Sequence, residues 1–217
     1  MVDNTALIRE KLLDFKNPED FYVCHVIQRA KDKKANGTIR PGDARDEGQR
    51  LIKTWYIDSL NYFDQKLPVM KDVAEANNAR LYFMPQVRSK LTVNRVLAKA
   101  IIDAIDEVGL RYDHLIRTAV CGCHASRQKE WIIDIDDEIE GDVPDAHAAA
   151  GEYARAVIED ILIWRKTVKD LDQNYRPLLY ETRNGWGIVT HPFDQRIFIS
   201  NPDFIKKDGM MLAYCNF

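Results

Sequence analysis

The stretch Trp131-Ile132-Ile133-Asp134-Ile135-Asp136-Asp137 decides how the chain is read. Its aromatic and β-branched residues mark a strand. Side chains two apart on a strand share a face, so Asp134 and Asp136 project together while Ile133 and Ile135 enter a core. Like charges that close raise each other's pKa unless a cation lies between them. A Mg²⁺ or Mn²⁺ ion held by both aspartates, with water and substrate phosphates completing its shell, resolves the conflict. The alternative is a strand end whose carboxylates fan into solvent. The Trp-Ile-Ile before them buries the strand to its tip and favours the metal.

Downstream, a helix is expected over roughly Ala146 to Leu171, with Val157, Ile161 and Trp164 facing one way. Short strands follow at Leu178 to Thr182, Trp186 to Thr190 and Met210 to Tyr214. Arg183-Asn184-Gly185 is the hairpin signal between the first two. Thr182, Arg183 and Asn184 set a hydroxyl, a guanidinium and an amide at that turn, which suits a phosphate cradle as well as an ordinary surface hairpin. In Asn201 to Tyr214, Asp203 is a candidate third metal ligand and Lys206 and Lys207 are candidate phosphate contacts, although a loop lysine pair also reads as plain surface.

Upstream, the pattern predicts a helix over Thr5 to Phe15, a strand in Asp20 to Asp32 that leaves the core at Gln28, and its hairpin partner at Leu51 to Ile57. Lys31 to Gly48, rich in glycine and charge, reads as a solvated loop. A helix capped by Ser59 runs to about Asn77, a strand covers Ala79 to Pro85, and an amphipathic helix covers Thr92 to Val108. Arg80, Arg88, Ser89, Lys90 and Arg95 cluster where strand ends meet helix starts, the places where α/β folds bind anions. The alternation predicts a single α/β (α+β) domain over residues 1–217, with a mixed central sheet flanked by helices.

Composition narrows the function. Of 217 residues, 46% are hydrophobic and 30% charged, enough for a sizeable core. The net charge of −3 gives no global attraction to polyanions, so a nucleic-acid partner would need a local basic patch. No apolar run approaches the ~20 residues of a membrane span, and the N-terminus lacks a signal-peptide block, so no membrane partner and a cytoplasmic location are expected. Four cysteines are too few for a disulfide framework, and Cys121, Cys123 and His124 are spaced too tightly for a usual zinc site. His191 has no serine or cysteine partner at motif spacing, which leaves a nucleophilic triad without support.

Four segments together resemble the catalytic core of the archaeo-eukaryotic primase (primase-polymerase) superfamily, most nearly small phage proteins with a reduced core. These are ARLYFMPQVRSK from Ala79, WIIDIDD from Trp131, TRNGWGIVTHPFD from Thr182 and DFIKKDGMMLAY from Asp203. The resemblance covers most of the chain and implies a metal-dependent nucleotidyltransferase. Asp134 and Asp136 would hold Mg²⁺ or Mn²⁺, and Asp203 would complete the acidic set. Arg80, Arg88, Ser89, Lys90, Thr182, Asn184, Lys206 and Lys207 would take a nucleotide's phosphates or the backbone of single-stranded nucleic acid. The metal would lower the pKa of an attacking hydroxyl and neutralise the pyrophosphate leaving group.

One position departs from the family pattern. The hairpin histidine that contacts nucleotide phosphates in the superfamily corresponds here to Gly187, and His191 lies ~13 Å further along a strand. Two other readings keep the same residues: a metal-dependent nuclease or phosphodiesterase, and a catalytically lapsed module that binds nucleic acid or a protein partner. Gly187 and the near-neutral charge favour the second of these, and the intact aspartate pair argues against it.

Overall fold

Antiparallel hairpins and helix-covered apolar faces organise the chain into two sheets. The computed structural model describes residues 1–30, 32, 48–106, 111–122, 129–136, 145–168, 172, 174–197, 204–207 and 209–217. The strands are β1 (Val2–Asp3), β2 (Asp20–Gln28), β3 (Arg50–Ile57), β4 (Arg80–Ser89), β5 (Trp131–Asp136), β6 (Leu178–Thr182), β7 (Gly185–Thr190), β8 (Ile205–Lys206) and β9 (Met211–Cys215). The helices are α1 (Thr5–Lys11), α2 (Leu60–Ala76), α3 (Lys90–Asp103), α4 (Tyr112–Gly122) and α5 (Ala146–Thr167).

The first sheet has the order β1-β9-β4-β2-β3 and the second β6-β7-β5-β8. The α+β class holds, but the expected mixed central sheet is replaced by two sheets whose pairings are all antiparallel among the described strands. The reason lies in the connections: β2 with β3 and β6 with β7 close as hairpins, so parallel crossovers are not needed.

Strand alternation then distributes the core. One face of the first sheet packs Cys24, Val26, Leu81 and Phe83 against Ile8 of α1 and Phe63, Met70 and Ala74 of α2. The same cluster takes Ile132, Tyr180 and Val189 from the second sheet, which joins the two sheets into one body. The opposite face, with Phe21, Val23 and Met84, is covered by Val93 of α3 and by Ala119 and Val120 of α4. The second sheet buries Ile133, Ile135 and Ile188 against Ala150, Ala154, Val157 and Ile161 of α5.

Two boundaries differ from expectation. β4 continues through Pro85 to Ser89 because its pairing with β2 is irregular between Phe21 and Val23, and a bulge tolerates a residue that donates no ladder bond. α4 was not anticipated; it buries only Ala119 and Val120, too little for a clear helical period. Ser59 caps α2 as expected, accepting from the Tyr62 amide at 3.1 Å. Among the described residues no helix is long and apolar enough to cross a membrane, and the described cysteines, Cys24, Cys121 and Cys215, are unpaired.

Candidate functional site

The expected facing of β5 is observed. Ile133 and Ile135 are sealed in the core, whereas the Asp134 side chain is 31% exposed and Asp136 is exposed. Both carboxylates open into a cleft between the sheets. Its inner hollow, about 70 Å³, is lined by Asp134, Asp136, Thr182, Arg183 and Asn184 on one side and by Arg29, Arg80, Tyr82 and Leu212 on the other. A continuation of about 270 Å³ shares Arg29, Tyr82, Asp134 and Tyr180 and adds Gln49 and Lys206.

Register explains why this face is open. Across the second sheet Asp134 stands opposite Gly187, which stands opposite Tyr180; in the next row of that face come Asp136, Gly185 and Thr182. The middle strand therefore offers glycine beside each aspartate. Gly185 adopts φ 141°, a conformation L side chains rarely adopt, and a Cβ there would collide with the Ile135 carbonyl. At Gly187 a Cβ would fall inside the Tyr180 ring. The space beside Gly187 is thus filled sideways, by a tyrosine from the neighbouring strand.

Charges in the cleft are of two kinds. Asp32 is fully buried and takes Arg80 with both oxygens, Nε donating at 2.8 Å and Nη2 to the other oxygen. Arg183 Nη1 donates to the same carboxylate at 3.0 Å. In contrast Asp134 is held by Lys206 Nζ at the rim. The described charged groups are four cations, Arg29, Arg80, Arg183 and Lys206, against three carboxylates, Asp32, Asp134 and Asp136.

The sequence-derived set is therefore divided. Asp134, Asp136, Thr182, Asn184 and Lys206 converge on the cleft. Arg80 lines it too, but its guanidinium is only 5% exposed and is committed to Asp32, so it acts as a wall rather than as a free phosphate contact. Arg88 and Ser89 lie at the far end of β4 and Lys90 opens α3, eight to ten residues from Arg80 and so about 26 Å or more away. Arg88 is 1% exposed and donates to the Val120 carbonyl at 3.0 Å and to Gln86 Oε1 at 3.3 Å. Ser89 caps α3, accepting from the Thr92 amide at 3.3 Å, and Lys90 pairs with Asp58 at 3.0 Å. None of the three lines the cleft that holds the aspartates. Lys207 does not line the cleft either; its Nζ sits over an aromatic face, 5.4 Å from the Trp131 ring centre. Asp203 and Asp137 lie outside the described residues.

Two cofacial carboxylates with adjoining open space suit an ion that keeps several waters and takes substrate oxygens, as Mg²⁺ does. Among the described residues no group of three His, Cys, Asp or Glu side chains gathers as a ready-made cage. Water and ligand oxygens would have to complete the shell.

Sequence reasoning missed Arg29, Asp32, Tyr82 and Tyr180. Tyr180 was within reach, since it shares strand parity with Thr182. Asp32, in a charge-rich stretch, carried no signal of its burial. His191 belongs elsewhere: it pairs with Glu130 at 3.2 Å and stacks on Tyr175 in a larger cavity of about 570 Å³. That cavity is bigger than the cleft, yet it contains none of Asp134, Asp136, Thr182 or Lys206.

No protein-family model matches the sequence, and no curated protein and no solved structure is similar to the chain.

Proposed function

We propose that this chain binds a divalent cation through Asp134 and Asp136 and holds a nucleotide or single-stranded nucleic acid in the cleft, as a primase-polymerase-type nucleotidyltransferase of the cytoplasm. The carrying observation is the cofacial aspartate pair opening into an inter-sheet cleft rimmed by Lys206, Arg29 and Arg183. The described charges leave a net +1, and a divalent ion would raise this to +3, suited to a triphosphate. When bound, Mg²⁺ or Mn²⁺ would activate a hydroxyl and neutralise charge on the leaving group.

The chain's own residues divide the remaining work. Asp134 and Asp136 supply ligand oxygens, and Lys206 exchanges its carboxylate partner for a phosphate oxygen. Thr182 and Asn184 offer a hydroxyl and an amide to the same ligand. Arg80 and Asp32 hold the first sheet against the β6–β7 turn, so that the donors keep their spacing.

A binding module without catalysis is favoured by one feature, the Lys206–Asp134 contact, which neutralises a metal ligand internally. Calorimetric titration of Mg²⁺ and Mn²⁺, with and without a nucleoside triphosphate, separates the readings. The nucleotidyltransferase reading expects metal binding that strengthens with nucleotide and disappears in Asp134→Asn/Asp136→Asn, followed by nucleotide incorporation in primer-synthesis assays. Nucleic-acid binding indifferent to metal and to the double variant would select the module.

A further inference from the structure

Several tyrosines of this fold bond their hydroxyls to protein groups. Tyr22 donates to the Asp14 carbonyl at 3.2 Å, Tyr214 bonds Glu75, and Tyr175 reaches Glu130 at 3.4 Å. Tyr180 is 3% exposed overall and makes no hydrogen bond among the described residues, yet its hydroxyl is not one of the sealed, unpaired polar atoms, so it reaches the open space of the cleft. A tyrosine so placed, with its hydroxyl at the cleft wall and no protein partner there, needs a reason.

Its surroundings supply one. Tyr180 lines both hollows of the cleft, beside Asp134. Its ring lies across Gly187, in space that any Cβ at that position would invade, so the side chain is fixed rather than loosely placed. Burial first, and then the charge of Asp134, pushes the phenol pKa well up, which keeps the proton on and makes the group a donor at neutral pH. Asp134, the carboxylate that lines the cleft with it, is already held by Lys206. A donor without an acceptor, next to Arg29 and Lys206, is matched by an anionic oxygen brought by a ligand.

We propose that the Tyr180 hydroxyl is a ligand contact, donating a hydrogen bond to a phosphate oxygen of a nucleotide seated beside Asp134. The assignment rests on the nucleotide reading above and adds to it a phosphate donor supplied by β6 rather than β7. It also gives Gly187 a purpose, because the glycine makes room for the ring that carries the donor.

Tyr180→Phe isolates the hydroxyl, since the ring that fills the Gly187 groove remains. With Mn²⁺ present, calorimetry should show ATP binding about tenfold or more weaker in the variant, as expected for a hydrogen bond to a charged group. Adenosine, which lacks phosphates, should bind both proteins alike, and the variant's melting temperature should not fall. Equal ATP affinities, or parallel losses for ATP and adenosine, would overturn the assignment while leaving the nucleotide reading in place. Absence of ATP binding by the wild-type protein would instead remove the nucleotide reading, and the assignment with it.

Discussion

Asp32 and Asp134 both meet cations at the cleft between the sheets, and they are built in opposite ways. Asp32 is completely buried, shared by Arg80 and Arg183, and ties β4 of one sheet to the β6–β7 turn of the other. Asp134 is a third exposed and has one lysine partner, itself half-exposed. A desolvated carboxylate cannot give up its cations without leaving charge stranded in low dielectric. A wet one can exchange its partner at little cost. The first arrangement therefore suits a fixed frame and the second a site that takes ligand.

The strongest way to break this contrast is to neutralise each carboxylate in turn. Asp32→Asn strands two guanidinium groups and should destabilise the fold by about 3–5 kcal/mol in urea denaturation. Asp134→Asn should cost no more than about 1 kcal/mol while removing metal binding. Similar losses for the two variants would mean that burial does not divide them.

The two ends of β4 extend the contrast. Arg88, buried against Val120 and Gln86, should behave as structure: Arg88→Ala is expected to cost about 3 kcal/mol, and Lys90→Ala less than about 0.5. A lower salt dependence of nucleic-acid binding in well-folded Arg88→Ala would restore it as a phosphate contact.

Neighbouring His25 should report the same buried environment through pH. Burial, and secondarily Arg88, lowers its pKa to about 4 from an ordinary 6.5. The unfolded chain then binds the extra proton between those values, so stability is full above about pH 6.5 and declines as pH falls toward 4. The loss is on the order of 3 kcal/mol. His25→Gln should flatten that part of the pH–stability curve, and an unchanged slope would place the titration elsewhere.

These contrasts show what the sequence could and could not disclose. The face shared by Asp134 and Asp136 follows from a period of two, a local property of β5 that the flanking isoleucines make plain. The Thr182–Asn184 turn was legible for the same local reason. Arg80 and Arg88 look alike in sequence, and only tertiary packing decides that one meets Asp32, 48 residues away, and the other a helix carbonyl. The antiparallel division into two sheets is likewise set by pairing partners distant in the chain. Sequence periodicity shows which way a side chain faces, but not what waits there.

Gly187 sharpens the comparison within the cleft itself. Gly187→Ala places a methyl inside the Tyr180 ring and should destabilise the protein by about 1–3 kcal/mol, as overpacking does. Tyr180→Ala leaves a cavity, and joining the two substitutions should recover part of the combined loss. A double-mutant cycle reads this coupling directly. Additive losses would show that ring and glycine do not share the space.

The smallest effect is expected at the rim, and its sign is the informative part. Lys206→Gln removes an exposed partner of Asp134, so stability should move by less than about 1 kcal/mol. Without the ammonium, Asp134 is freer to accept Mn²⁺, and affinity for the metal alone should rise about two- to fivefold. For a nucleoside triphosphate in saturating Mn²⁺ the same substitution should act the other way, because the lysine would then be counting as a phosphate partner. Opposite signs identify a cation that trades a carboxylate for a ligand. A rise in both affinities would make Lys206 a simple competitor of the metal, and a fall in both would make it part of the metal site's support.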